Sequence, residues 1–206
     1  MENINVVIVD YGMGNVRSII SALNFIGINE VVISAEYDEL KSADKLILPG
    51  VGAFHKAMDH IVTKNLDKIL KELVLVNNKP LLGICLGMQL LGMSSTENGN
   101  NRGLQFINGI VLRFDEKGLK IPHVGFNQVK VNPSNKLYQG LSTFPDFYFT
   151  HSYKMSTNDN INQSFCQYGA EFVASFEYRN IAGVQFHPEL SQRNGLRLLN
   201  NFILKF

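Results

Sequence analysis

The feature that most restricts how this chain can fold is a set of short apolar runs in its first half, "INVVIVD", "EVVIS", "DKLILPG" and "KPLLGI". Such β-branched runs have no polar face to give to water, so they read as strands of a mostly parallel sheet covered on both sides. The stretches between them carry the cover. Val16 to Ile26 places Val16, Ile19, Ile20, Leu23 and Ile26 near one helical face, and Phe54 to Val76 does the same with Ala57, Ile61, Leu66, Ile69, Leu70 and Leu73. From about Gly103 the texture changes to "GLQFINGIVLRF", "HVGFNQVKV", "DFYFTHSYKM", "EFVASFEY" and "NIAGVQF", which predict strands joined by hairpins and loops. Gln192 to Phe206 returns to helical spacing through Leu196, Leu199 and Phe202. The expectation is one α/β domain over residues 1–206. It has a central, mostly parallel sheet flanked by helices, with additional antiparallel strands in the second half.

With 206 residues, 45% of them apolar, the chain can bury a substantial core. Its net charge of +1 and scattered lysines give no basic face, which argues against nucleic acid or an anionic membrane as partner. No run reaches the roughly 18 apolar residues of a membrane span, and "MENINVVIVD" lacks the basic flank and cleavage signal of a secretory leader, so a cytoplasmic protein is expected. In a reducing compartment the two cysteines, Cys85 and Cys166, should be free thiols. Cys166 reads as packing beside a strand.

Cys85 has a more specific setting. Gly83-Ile84-Cys85-Leu86-Gly87 has the form of a nucleophile elbow, in which a strand turns sharply into a helix and projects its nucleophile from the carboxyl edge of the sheet. The flanking glycines leave room for the tight turn. The helix start directs unpaired N–H groups at the sulfur, which suits an anionic nucleophile. A thiolate enzyme also needs a base and a group to orient it. In "GVQFHPEL", His187 ends an apolar strand and Glu189 stands two residues on, so a Cys-His-Glu triad can assemble in space. The N–H of Leu86 is one natural oxyanion donor, and "LPGVGAF", with Gly50 and Gly52 around Val51, follows a parallel strand and can supply another.

"LPGVGAF", "GICLGMQLL" and "GVQFHPE", in this order and spacing, resemble the class I glutamine amidotransferases, whose fold is flavodoxin-like. "DYGMGNVRS", "IPHVGFN", "YFTHSY" and "GAEFVAS" narrow the resemblance to the glutaminase subunits of imidazole glycerol phosphate synthase. The resemblance implies hydrolysis of L-glutamine to L-glutamate and ammonia, with Cys85 as nucleophile, His187 as proton shuttle and Glu189 orienting it. It implies an oxyanion hole built from Gly50, Val51, Gly52 and Leu86, and substrate contacts from Gln89, Glu97, Ser152 and Tyr153. No cofactor and no metal are implied. The partner implied is a (β/α)8-barrel synthase subunit that takes the ammonia to make imidazole glycerol phosphate and AICAR in histidine biosynthesis. Asn15, His123 and Tyr148 would lie at or near that contact.

"GMGN" near the start is not a dinucleotide fingerprint, because Arg17 stands where the third glycine belongs and no acidic residue follows at the expected strand end. Two positions depart from the family pattern. Leu190 replaces a lysine after His-Pro-Glu, and Phe126 replaces the tryptophan of Gly-Trp-Asn; "TENGNNRGLQ" is also looser than usual. An apolar residue in place of a cation at an interface can redirect partner choice. The alternative is therefore a paralogous subunit that supplies ammonia to an amidino-sugar synthase in surface-polysaccharide or flagellin-sugar biosynthesis.

Overall fold

A computed structural model describes residues 4–115 and 118–206. The reading of the extreme N-terminus as leaderless falls on residues 1–3, which lie outside the described residues. Strand β1 (Val6–Val9) leads to helix α1 (Val16–Phe25), and β2 (Val31–Ser34) to α2 (Tyr37–Ser42). Next, β3 (Lys45–Leu48) leads to α3 (Phe54–Thr63) and α4 (Leu66–Leu70), and β4 (Leu81–Ile84) to α5 (Leu86–Leu90). Two short strands follow, β5 (Ser94–Ser95) and β6 (Asn101–Arg102), then β7 (Ile110–Arg113), β8 (His123–Lys130) and β9 (Asp146–His151). The chain closes with β10 (Tyr153–Ser156), β11 (Ser164–Tyr168), β12 (Ala170–Tyr178), β13 (Ile181–Val184) and α6 (Gln192–Lys205).

Among the described residues nine strands form one sheet in the order β2-β1-β3-β4-β13-β12-β11-β8-β9, and β10-β7-β5-β6 form a second. From β2 to β13 the large sheet is parallel, and beyond β13 it continues antiparallel. This is the predicted mixture. The inner parallel strands are covered on both faces: Val7, Val9, Leu46, Leu48 and Leu81 pack with α3 and α4 on one side, and Val6, Ile8, Ile47, Leu82 and Ile84 with α1 and α6 on the other. The edge strand β2, expected from "EVVIS" to be covered likewise, instead leaves Val32 and Ile33 exposed, because it has a neighbour strand on one side only. Among the described residues no helix is long and apolar enough to cross a membrane.

The structure differs from the sequence reading in several places. The expected helix from Phe54 to Val76 breaks at Asn65, whose φ of 55° is left-handed, and ends in a π-helical turn over Lys71–Val76. An uninterrupted apolar period could not reveal that break, because α3 and α4 both face the same core. "GLQFINGIVLRF" forms a strand only at β7. The N–H groups of Leu104 and Phe106 are instead taken by the carbonyls of Leu90 and Leu91 at the end of α5. "DFYFTHSYKM" divides at Ser152 into β9 and β10, which belong to different sheets. β11 was not anticipated; its polar and apolar residues mix because it sits in the antiparallel extension.

The register carries the functional consequence. Leu48 pairs with Gly83, and Gly83 with Gly183, so the loops after β3, β4 and β13 leave the sheet side by side at its carboxyl edge. Those loops hold Gly50 to Gly52, Cys85 and His187.

Candidate active site

At the end of β4 the backbone turns within one residue. Cys85 takes φ 53° and ψ −108°, a strained conformation for a non-glycine residue, and α5 starts at Leu86. The N–H of Cys85 still bonds the Val184 carbonyl at 2.7 Å, so the strain is held by the sheet itself. The glycines do what the elbow requires. A Cβ on Gly83 would come 2.8 Å from the Gly87 carbonyl oxygen, and a Cβ on Gly87 would collide with the carbonyl of Leu48. One on Gly50 would lie 2.5 Å from the Gly87 nitrogen. The Gly50–Gly52 loop thus lies directly against the start of α5, with Gly50 beside Leu86 and the Gly87 nitrogen.

His187 ends β13's continuation, its N–H bonded to the Tyr148 carbonyl at 2.8 Å. Its Nδ1 lies 2.9 Å from Glu189 Oε1, and the two side chains are 4% and 1% exposed. A carboxylate can only accept, so Nδ1 carries the proton and Nε2 is left for the sulfur. Nε2 is buried without a full hydrogen bond, yet close enough to Cys85 for the two to interact. Burial disfavours the imidazolium, but hydrogen bonding and charge from Cys85 and Glu189 outweigh it and push His187 up to about 10. A protonated imidazole beside the sulfur can give a proton to a leaving amine.

These groups share a cavity of about 340 Å³, within the range of small-molecule sites. Val51, Gly52, Leu86, Gln89, Glu97, Ser152 and Tyr153 line it with Cys85 and His187. Gly50 stands behind Leu86, and Glu189 behind His187. Glu97 Oε2 accepts the N–H of Phe54 at 2.7 Å, which fixes a carboxylate on the wall. A larger cleft of about 830 Å³ between α3, α4 and β6 is lined by none of Cys85, His187 and Glu189.

Four residues missed by sequence reasoning shape the site. Tyr11, fully buried, donates its hydroxyl to the Pro49 carbonyl at 2.7 Å and so anchors the loop that carries Val51. Burial, and after it the charge of Cys85, pushes this phenol up, which keeps it a donor. Gly14 belongs to the same contact, because a Cβ there would lie 2.8 Å from the Pro49 side chain. The "GMGN" loop is therefore a packing element at the carboxyl edge of the sheet. Ser191 accepts the Tyr148 N–H at 2.9 Å and donates to the His187 carbonyl at 2.5 Å, bracing the histidine turn. Gln185 is the fourth, its carboxamide lying against Cys85 Sγ.

The residues expected at a partner contact divide. Tyr148 is half-buried and packs edge-to-face against Phe126, with ring centroids 5.6 Å apart. Asn15 is half-buried ahead of α1. His123 is buried: it is 3% exposed and stacked 3.9 Å from Tyr168 and 4.8 Å from Phe149. Its strand alternates, and His123 falls on the covered face. Its Nδ1 lies 3.1 Å from His151 Nε2, while His151 Nδ1 donates to the Tyr153 carbonyl at 2.8 Å.

Burial lowers His123 to about 4 and His151 to about 3. Both are therefore neutral in the fold while the unfolded chain takes up protons below about pH 6.5. Stability should fall as the pH drops from 7 to 5, by roughly 2 kcal/mol from His151, with His123 adding in the same direction. The raised His187 works oppositely: its contribution is full below about pH 6.5 and is lost progressively as the pH rises from there to about 10. Urea melts at pH 7 and 5 test this; a midpoint that does not decrease would mean the pair titrates normally.

The chain belongs to the class I glutamine amidotransferases: the family model described as glutamine amidotransferase class-I matches residues 7–206. It is 47% identical over 200 residues to imidazole glycerol phosphate synthase subunit HisH 2 of Vibrio vulnificus (strain YJ016), covering 96% of this chain and 93% of the relative. It is 44% identical over 197 residues to imidazole glycerol phosphate synthase subunit HisH of Aquifex aeolicus (strain VF5), covering 95% and 94%. A glutamine amidotransferase of known crystal structure shares the fold, with a TM-score of 0.75 at 19% identity over 96% of this chain and 97% of the other.

Proposed function

We propose that this chain, as one amidotransferase domain, is the glutaminase subunit of imidazole glycerol phosphate synthase and works in the cytoplasm of a histidine-making cell. The observation that carries the reading is the meeting of Cys85 and the His187–Glu189 pair in one small cavity, in a chain 47% identical to a HisH subunit. Cys85 sulfur attacks the side-chain amide carbon of glutamine. His187 hands a proton to the amide nitrogen, which leaves as ammonia, and a glutamyl thioester remains on Cys85. Water, deprotonated by the same imidazole, then releases glutamate. The N–H groups of the Gly50–Gly52 loop and of Leu86 face the developing oxyanion. Glu97 pairs with the substrate ammonium, and Gln89, Ser152 and Tyr153 hold the rest of its backbone groups.

Ammonia passes to a (β/α)8-barrel synthase subunit docked over this edge. Val51, Phe126 and Leu190 are 41%, 49% and 40% exposed, an apolar set that with Tyr148 and Asn15 suits a protein contact. Leu190 and Phe126 lie outside the triad, so the departures from the family pattern concern docking and leave the chemistry in place. An amidino-sugar synthase as acceptor is not favoured, since these relatives are named as subunits of imidazole glycerol phosphate synthase.

The test is glutamate formation by the purified chain alone and with the histidine-pathway synthase subunit. Addition of that subunit should raise turnover roughly tenfold or more. Stimulation by an amidino-sugar synthase and none by the histidine-pathway subunit would move the protein to the other pathway.

A further inference from the structure

Gln185, two residues before His187, is fully buried and belongs to none of the roles assigned above. Its carboxamide Nε2 lies 3.7 Å from Cys85 Sγ, within N–H···S distance. Its Oε1 lies 3.0 Å from Gln89 Nε2, and that same nitrogen lies 3.0 Å from the Tyr153 carbonyl. Carboxamide oxygen and nitrogen look alike by shape, so the hydrogen-bond partners must decide which way each points.

Here they decide it without ambiguity. The Tyr153 carbonyl can only accept, so the Gln89 atom facing it is the nitrogen. The second hydrogen of that nitrogen must then go to an acceptor, which makes the facing Gln185 atom its oxygen. The atom Gln185 turns toward Cys85 is therefore N–H₂, a donor. His151 secures the origin of the chain, because its Nδ1–H bonds the same Tyr153 carbonyl while its Nε2 accepts from His123. With both its hydrogens used, Gln89 has only its carbonyl oxygen to offer the cavity it lines.

We infer that Gln185 positions and stabilises the sulfur of Cys85 by donating a carboxamide hydrogen to it, in an orientation fixed through Gln89 by the Tyr153 carbonyl. The ionisable groups that interact with the sulfur are His187, backed by Glu189, and Tyr11. Gln185 is the uncharged donor beside them, and it is not consumed in proton transfer. It keeps one N–H on the sulfur while His187 gives its proton to the leaving amine, so the thiolate keeps a partner throughout. The inference rests on Cys85 being the nucleophile.

The experiment is the pH dependence of Cys85 alkylation by iodoacetamide in the full chain, wild type against Gln185→Met. Cys166 is 1% exposed and burial pushes its thiol up to about 12, so it stays silent, and Cys166→Ala confirms this. The methionine variant should need a pH higher by about one unit or more for half-maximal alkylation. Its kcat/KM for glutamine with the synthase subunit should fall about tenfold or more, mostly in kcat. If Gln185 only supports Gln89, KM rises while the alkylation profile superimposes on wild type, and that result overturns the inference. Gln185→Glu keeps the acceptor for Gln89 and removes the donor; it replaces the methionine variant should that one fail to fold, and an unchanged profile there is equally fatal. Loss of alkylation at position 85 in Cys85→Ala with glutaminase turnover intact would instead overturn the nucleophile assignment itself.

Discussion

Cys85→Ala is expected to lower glutamine hydrolysis by the complex about 10⁴-fold or more, because it removes the sulfur that carries the acyl intermediate. Glutamine binding should survive within a few-fold, since Gln89, Glu97, Ser152 and Tyr153 line the cavity independently of the sulfur. His187→Ala should cost about 10²–10⁴-fold, the range of a general acid and base. The sign of the His187 shift adds a pH dependence. Held protonated up to about 10, the imidazolium should support amine departure across the neutral range and fail only as the pH approaches that value. Single-turnover release of ammonia, with glutamine binding measured by calorimetry, separates the two effects. Turnover within tenfold of wild type in Cys85→Ala would remove the triad from the mechanism.

Gly87→Ala is expected to have the largest effect on the fold for the fewest atoms added. The new methyl would enter the space of the Leu48 carbonyl oxygen, which is backbone of a central parallel strand and cannot rotate away. Either β3 and α5 separate or the turn at Cys85 opens. The expected cost is roughly 3 kcal/mol, the upper range for overpacking, or about 6–12 °C in Tm. Activity should fall further than stability, at least about a hundredfold in folded protein, because an ångström of displacement at the elbow misaligns sulfur, imidazole and oxyanion donors together. Thermal melts and glutaminase turnover at low temperature measure the two. A folded Gly87→Ala chain with wild-type turnover would show that the elbow tolerates a side chain and that the close approach is not essential.

Much of this is legible in the sequence. Strands buried on both faces need two helical layers, so "INVVIVD" and "KPLLGI" already implied the parallel half of the sheet, and β1 and β4 are buried at every residue. Cys85 was readable for a local reason, since two glycines two residues either side of it mark a turn too tight for a Cβ. Glu189 was readable because a carboxylate two residues beyond His187 can reach Nδ1 through a single turn. Other features were hidden. Asn65 breaks a helix whose apolar period continues unbroken across it. Gly195, inside α6, looks like a weak point in a helix, yet a Cβ there would collide with the carbonyl of Pro188 in the turn that carries Glu189. The burial of His123 among aromatic rings contributed by β9, β11 and β12 was hidden too, because those strands are remote from it in sequence.

The chain by itself determined what depends on neighbours in sequence: periodicity, the glycine-flanked turn at Cys85, and the His-Pro-Glu spacing. Tertiary structure alone decided what depends on which strands become neighbours. β4 lies next to β13, although about 100 residues separate them, and only that pairing brings Gln185 and His187 to the sulfur and routes the Gln89, Tyr153 and His151 chain around it. The physical reason is that hydrogen-bond direction is set by the last group that can only accept or only donate. In this site that group is the backbone carbonyl of Tyr153, remote in sequence from the sulfur whose surroundings it orders.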